Sequence, residues 1–218
     1  MISTTIICAL ACLVLVDGER RQREIQRTVA KIVASCAFVA TAILAVCQRG
    51  GEADRAFELF QGCVVIGLVL GVVGDIALLY KRGFLLGLVA FLLGHLAYAI
   101  AVGYLVPPKL WLDHAGWLAA VPLVIGLGVL TALWRTLDTL AVPVIAYVAV
   151  IITMVIAATA ATRAQLAPTT FAIGAALFFA SDIAVARDKF VASTFANKLW
   201  GLPAYYAAQL LIAWSLAK

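Results

Sequence analysis

Residues 84–106 read FLLGLVAFLLGHLAYAIAVGYLV, an apolar run that contains one histidine and no Asp, Glu, Lys or Arg. A spanning α-helix needs about 20 consecutive apolar residues, so this run is long enough to cross a bilayer. It lacks the alternation of apolar and polar residues that marks a membrane β-strand, and only helices or closed barrels satisfy every backbone group in lipid. The run therefore predicts a membrane-spanning helix.

Comparable apolar runs fill the rest of the chain and are separated by short polar or turn-forming segments. They predict helices over residues 1–16, 30–47, 57–79, 84–106, 116–134, 139–162, 168–186 and 197–217. The expected fold is an all-α integral membrane protein, a bundle of eight transmembrane helices that forms one transmembrane domain over residues 1–218.

The composition agrees with this pattern. Of 218 residues, 65% are hydrophobic and 12% are charged, whereas soluble domains have about 45–50% apolar and about 25% charged residues. This composition excludes a nucleic-acid enzyme, a soluble dinucleotide-binding dehydrogenase and a secreted disulfide scaffold. The net charge of +5 does not indicate a nucleic-acid partner, because the basic residues lie in short gaps between apolar runs, where they set orientation.

The distribution of basic residues predicts the direction of the helices. The odd-numbered connections hold 11 of the 16 Lys and Arg residues, and the even-numbered connections and the C-terminus hold the other 5. By the positive-inside rule, the odd connections face the cytoplasm and both termini lie outside it. Most of the bias comes from the first connection, Gly18 to Lys31, whose charges we interpret as topological and lipid-headgroup contacts.

A sequence repeat with a spacing of 107 residues surrounds two aspartates. The matched positions are Gly67, Leu70, Asp75, Ile76, Ala77 and Tyr98 in the first half and Gly174, Leu177, Asp182, Ile183, Ala184 and Tyr205 in the second. The match pairs helices that cross in the same direction, so it predicts two parallel four-helix repeats, with coincidence as the alternative. Asp75 and Asp182 would then face each other across a pseudo-twofold axis.

Ionisable groups within a spanning helix cost about 2.5–3.5 kcal/mol at the bilayer centre, so they usually face the bundle interior and carry function. Asp75, Asp182 and His95 meet this criterion. The alternative for each aspartate is a helix-end carboxylate paired with a basic residue next in the chain. A carboxylate near a helix C-terminus opposes the helix dipole, however, so local stability does not explain either one.

Further polar residues accompany these three in the last and fourth predicted helices. His95 and Tyr98 share one face, and the candidates on the last helix are Asn197, Tyr205 and Gln209. The alternatives are a hydrogen-bonded interior histidine and a helix-capping asparagine.

Absent motifs narrow the chemistry. The chain has no Gly-x-Ser-x-Gly nucleophile elbow, and its two histidines do not supply the three ligands that a zinc hydrolase usually needs. We therefore expect neither a metal nor a cofactor. A pair of carboxylates suits general acid and base catalysis, since two neighbouring carboxylates do not readily both ionise.

Four blocks of sequence, taken in order, resemble the YhhN-type lysoplasmalogenase family. They are Gly74-Asp75-Ile76-Ala77-Leu78-Leu79, His95-x-x-Tyr98, Phe178-Phe179-Ala180-Ser181-Asp182 and Leu202-Pro203-x-Tyr205-Tyr206-x-x-Gln209. The resemblance implies a membrane enzyme that hydrolyses the vinyl ether bond of lysoplasmalogens to a fatty aldehyde and a glycerophospho-base. It also implies that Asp75 and Asp182 are the catalytic pair, and we expect a bacterial inner membrane as the location.

The implied partners are a lysophospholipid substrate and the surrounding membrane lipids. Residues placed to meet the substrate phosphate are Lys31, Lys81, Arg82 and Lys198, and those placed to hold water and the ether oxygen are His95, Tyr98, Tyr205 and Gln209. A proton- or cation-coupled transporter that uses the same two aspartates, and a structural or sensory bundle without turnover, remain open. The sequence leaves the oligomeric state open as well.

Overall fold

The computed structural model describes residues 1–48, 54–80 and 82–217, and it is all-helical throughout that part of the chain. The helices are α1 (Ile2–Arg21), α2 (Glu24–Gln48), α3 (Arg55–Ala77), α4 (Phe84–Leu105), α5 (Trp111–Ala115), α6 (Ala120–Leu133), α7 (Ala141–Arg163), α8 (Thr169–Phe190) and α9 (Phe195–Trp214). Short 3-10 turns flank α5 and α6 and follow α9. The predicted all-α class is confirmed.

The first two helices differ from the prediction. The segment expected to be a loop between Gly18 and Lys31 is almost entirely helical, and only Gln22 and Arg23 separate α1 from α2. Gln22 adopts the left-handed conformation (φ 55°) that commonly ends a helix. The prediction was wrong here because loss of hydropathy was taken as the end of a helix, whereas Glu, Arg and Gln are good helix formers.

The fifth predicted helix, 116–134, is also shorter and less regular than expected. The chain forms α5, turns at Gly116 with φ 57°, and begins α6 only at Ala120. A glycine tolerates positive φ without steric cost, so the chain turns at the first residue of the predicted helix and passes through a 3-10 turn before α6 begins.

Seven segments of the described chain are long and apolar enough to cross a membrane. They are α1, α2, α3, α4, Pro108–Thr136, Asp138–Arg163 and α8. Helix α9 has 20 residues but includes Asn197, Lys198 and Gln209, and it packs against α1, α2, α3 and α8. A helix surrounded by protein needs less apolar surface, so a spanning α9 stays a prediction while the multi-pass helical character is shown.

Two apolar clusters form the interior. The larger one draws on α1 to α4 and α7 to α9, and the smaller one joins α5, α6 and one face of α7. The helix pairs α3–α4 and α8–α9 pack most extensively, and glycines allow both close approaches. A Cβ at Gly74 would lie 2.6 Å from the Phe91 ring, and a Cβ at Gly201 would lie 2.5 Å from the Ala184 methyl group.

The predicted repeat keeps its correspondence only at the level of helices. Asp75 takes its partners from α2, which precedes α3, and Asp182 takes one partner from α7, which precedes α8. The partner side chains differ between the two halves. Tyr205 donates to the carbonyl oxygen of Gly71 on α3, whereas Gly174, the glycine that the repeat assigns to it, faces Ala208 and Ile212. The parallel repeat therefore stays a prediction.

Candidate active site

A cavity of about 570 Å³ opens at the end of the bundle where α1 meets α2, α3 meets α4 and α8 meets α9. Both predicted catalytic aspartates line it, although they lie 107 residues apart in the chain. The other predicted residues that line it are Lys31, Asn197, Lys198 and Tyr205. Helices from both halves of the sequence thus form one site.

Asp75 is held by two side chains of α2. Its side chain accepts a hydrogen bond of 2.7 Å from the Ser35 hydroxyl, and its other oxygen lies 3.2 Å from Lys31 Nζ. The residue is 3% exposed. A buried carboxylate that is paired with a cation and accepts a hydrogen bond can keep its charge away from water. The alternative for Asp75 was a pair with a basic residue next in the chain. The observed partner is instead Lys31, which comes from α2.

Asp182 has different neighbours. The Tyr147 hydroxyl donates to its Oδ2 atom over 2.9 Å, and His95 Nε2 lies 3.4 Å from the same oxygen. Nδ1 of His95 donates to the Phe91 carbonyl oxygen over 2.6 Å, so a neutral imidazole presents a lone pair at Nε2. Nε2 of His95 therefore faces the same Asp182 oxygen that accepts the Tyr147 hydrogen bond.

The two carboxylates thus differ in charge environment while sharing one cavity. Asp75 has a lysine within ion-pair distance, whereas Asp182 has a phenol and an imidazole. The two carboxylates are therefore divided between a cationic partner and a pair of hydrogen-bonding aromatic rings. Such a division suits a general base and a general acid.

A hydrogen-bonded chain supports the wall of the cavity behind Tyr205. The Tyr98 hydroxyl donates to Gln209 Oε1 over 3.0 Å, and Gln209 Nε2 donates to the Tyr205 hydroxyl over 3.1 Å. Tyr205 donates in turn to the Gly71 carbonyl oxygen over 3.3 Å. These hydrogen bonds hold Tyr205, which lines the cavity, through Tyr98 and Gln209, which are both fully buried.

The predicted substrate-binding residues therefore separate into two groups. Lys31, Asn197 and Tyr205 line the cavity, but His95, Tyr98 and Gln209 are completely buried behind its wall. Their positions suit the support of Asp182 and Tyr205, and a direct contact with substrate stays a prediction. Asn197 lies at the mouth, where its side-chain amide donates to the Ala192 carbonyl oxygen over 2.7 Å and ties α9 to the preceding turn.

Charged residues from α1, α2 and α9 meet at the rim. Glu19 is 8% exposed, and its two oxygens accept hydrogen bonds from Arg27 Nε at 2.8 Å and from Lys198 Nζ at 3.0 Å. The segment we interpreted as a source of topological charge therefore also lines the cavity. Arg82 lies at the exposed α3–α4 turn, outside the lining, and Lys81 lies outside the described residues.

Sequence reasoning missed Ser35, Tyr147 and Glu19. A weak signal existed for each one: Ser35 follows Lys31 by one helical turn, Tyr147 is the only tyrosine of α7, and Glu19 is an acidic residue next to a run of arginines. Which carboxylate or cation each one meets depends on how the helices pack. Among the residues that the structure describes, no three His, Cys, Asp or Glu side chains converge as a metal site requires.

A sequence model of the YhhN family matches residues 26–216, a range that holds both aspartates and the residues that contact them. No curated protein and no solved structure shows a significant match. The family match agrees with the four sequence blocks on which the resemblance depended.

Proposed function

Because this chain belongs to the YhhN family, we propose that it is a membrane hydrolase that cleaves the vinyl ether bond of lysoplasmalogens. The products are a fatty aldehyde and a glycerophospho-base. The observation that carries the proposal is the pair of carboxylates in one cavity, of which Asp75 has a lysine partner and Asp182 has neutral or titratable partners.

In this proposal, Asp182 is the acid and Asp75 is the base. Asp182 gives its proton to the alkene carbon on the chain side, and the remaining C–O double bond carries the positive charge of an oxocarbenium ion. Asp75 takes a proton from water as the water oxygen bonds to the cationic carbon, which gives a hemiacetal. Both carboxylates lie close enough to the cavity to stabilise the cation electrostatically.

Collapse of the hemiacetal restores both groups. Asp182, now ionised, accepts the hemiacetal hydroxyl proton, and Asp75 protonates the departing glycerol oxygen. The C–O bond breaks, aldehyde and alcohol form, and each carboxylate returns to its starting state. The cycle consumes one water molecule and needs no cofactor.

The rim suits a phosphate headgroup. Arg27 and Lys198 bring two cations to the mouth, where both pair with Glu19, and Lys31 lies deeper beside Asp75. A phosphodiester can accept hydrogen bonds from the same cations, since guanidinium and ammonium groups both bind phosphate. This end of the bundle carries the basic connections, so we propose that the headgroup enters from the cytoplasmic leaflet of a bacterial inner membrane.

The test is release of aldehyde from an alkenyl lysophospholipid by purified protein in detergent. Asp75→Asn and Asp182→Asn should each abolish release, because one variant lacks the base and the other lacks the acid. Asp113→Asn, an exposed residue of α5 outside the cavity, should keep full activity. Full activity in either cavity variant would contradict the mechanism.

Aldehyde release, combined with an uptake measurement, distinguishes hydrolysis from the alternative of transport. A buried lysine–aspartate pair in a cavity open at one end also occurs in proton-coupled carriers. Uptake of lysolipid into proteoliposomes without any aldehyde would favour transport. Aldehyde release by wild-type protein in detergent, where no gradient exists, would favour hydrolysis.

A further inference from the structure

A second, narrower cavity adjoins the site. It has a volume of about 60 Å³ and lies between α4, α6, α7 and α8. Its lining is apolar except for the Tyr147 hydroxyl and the Asp182 carboxylate. Asp182, Phe84, Phe91 and two aliphatic residues line both this cleft and the main cavity. Asp182, the acid of the proposed mechanism, therefore lies between the main cavity and the apolar cleft.

The cleft follows the boundary between the two apolar clusters. Phe91, Ile151 and Phe179 on one side belong to the larger cluster, and Leu133 and Val148 on the other belong to the smaller one. Helix α6 packs chiefly on α7, and most of its residues are exposed on the outside of the bundle. A volume of about 60 Å³ is too small for a whole hydrocarbon chain, so a chain can enter only if α6 moves outward, and α6 carries neither aspartate.

We propose that the hydrocarbon chain of the substrate binds in this cleft and passes between α6 and α8 toward the bilayer. The inference rests on the proposed function for the chemistry at Asp182, whereas chain binding can be measured without it. A lysoplasmalogen has a polar headgroup, then the vinyl ether, then the hydrocarbon. The protein presents a charged rim, then the aspartates, then an apolar cleft, in the same order.

The position of Asp182 supports the match in detail. The two carbons of the vinyl group are the first two of the chain, and the carbon that takes the proton is the second. That carbon would lie at the entrance of the cleft, where Asp182 borders both spaces. Asp75 lines the main cavity and not the cleft, as expected for the group that activates water on the headgroup side.

The residues of α6 that line the cleft, Val129 and Leu133, would then limit the chain. Enlarging either one with Val129→Trp or Leu133→Trp should lower kcat/KM for long-chain alkenyl lysophospholipids by about tenfold, which corresponds to about 1.4 kcal/mol. Short-chain substrates should be unaffected, because they end before the obstruction. Val124→Trp, on the exposed face of the same helix, is the matched control and should change neither class. An equal loss for long and short chains, or no loss for either, would overturn the proposal.

A second measurement does not depend on turnover. A saturated alkyl ether lysophospholipid with a diazirine at the chain end cannot be hydrolysed by this route, and light should attach it to α6 or to the first half of α7 in wild-type protein. Leu133→Trp should move or abolish the label. Attachment confined to α1 and α2 would overturn the proposed cleft. If wild-type protein releases no aldehyde yet labels α6, the proposed reaction fails and the chain site stands.

Discussion

At the scale of single residues, Lys31 and Asp75 form an ion pair in which both side chains are largely buried. Their side chains are 12% and 4% exposed, and the pair joins α2 to α3 beside the cavity. Removal of one member of a buried pair leaves the other charge without a counterion, which costs about 3–5 kcal/mol. The exposed pair of Arg21 and Asp17, with side chains 58% and 42% exposed, has no such penalty.

We therefore predict that Lys31→Met strongly destabilises the protein and inactivates it. The double variant Lys31→Met/Asp75→Asn should recover most of the stability, because no unpaired charge remains, but it should recover no activity. Thermal unfolding in detergent measures the first effect and aldehyde release measures the second. Arg21→Met is the control and should leave the unfolding temperature unchanged. Equal effects of Lys31→Met and Arg21→Met would show that the buried pair has no special importance.

Tyr147 is the donor that orients Asp182, and it does so from α7 over 2.9 Å. Hydrogen bonds between membrane helices are worth about 0.6 kcal/mol on average and about 1.7 kcal/mol at most. Tyr147→Phe should therefore lower kcat by about 3- to 18-fold while KM changes little. Tyr104→Phe on the outside of α4, where the residue is 44% exposed, should keep the wild-type kcat. Wild-type kcat in Tyr147→Phe would contradict the orienting role.

The sequence predicted some of these residues better than others. Asp75, Asp182 and His95 could be singled out because ionisable groups are rare and costly within apolar runs. A tyrosine in such a run is ordinary, so the weak signal at Tyr147 does not separate it from an interfacial anchor. Its role appears only when the packing of α7 on α8 brings its hydroxyl to Asp182.

At the scale of helices, glycines on α3 set the distance between that helix and its neighbours. A Cβ at Gly71 would lie 2.5 Å from Gln209 Nε2 and 3.1 Å from the Tyr205 hydroxyl. At Gly71 the neighbouring helix is α9, whereas at Gly74 it is α4. The close approach allows the series of hydrogen bonds from Tyr98 through Gln209 to Tyr205 to end on the Gly71 carbonyl oxygen of α3.

Gly71→Ala should consequently displace Tyr205 and Gln209 and destabilise the protein by about 1–3 kcal/mol, as overpacking does. Activity should fall as well, because Tyr205 lines the cavity. Gly62→Ala lies on the same helix with no atom within 4 Å of the added methyl group. It should be neutral or stabilising by up to about 1 kcal/mol, since alanine favours a helix over glycine. Thermal unfolding and aldehyde release check both variants, and equal behaviour of the two would contradict the packing role of Gly71.

Hydropathy predicted the all-helical, multi-pass character, whereas the number of spanning helices stays a prediction and the helix ends were predicted less well. Hydropathy reports the depth of a residue in the membrane, whereas a helix continues as long as its backbone hydrogen bonds and side-chain propensities allow. Helices α1 and α2 therefore extend through residues that are charged, up to the turn at Gln22. The ends of the helices decide where Glu19 and Arg27 lie, so the rim of the cavity was missed together with the helix ends.

At the scale of the whole molecule, the cavity and the basic connections share one end of the bundle. Its mouth is formed by the α1–α2, α3–α4 and α8–α9 connections. These are the first, third and seventh predicted connections, three of the four odd ones that the positive-inside rule assigns to the cytoplasm. Substrate headgroups would then be taken from the inner leaflet. This orientation is a prediction that can be tested on two connections that flank one helix.

Ser193 follows α8 and Leu166 precedes it, and both residues are exposed. In a variant whose five native cysteines are replaced without loss of activity, Leu166→Cys should react with a membrane-impermeant maleimide on intact cells. Ser193→Cys should react only in inside-out vesicles, because it lies beside the cavity mouth. The reverse pattern would place the mouth outside and require an extracytoplasmic source of substrate. Reaction of both positions from the same side would show that α8 does not span the membrane. That result would contradict the prediction that Asp182 lies within a spanning helix.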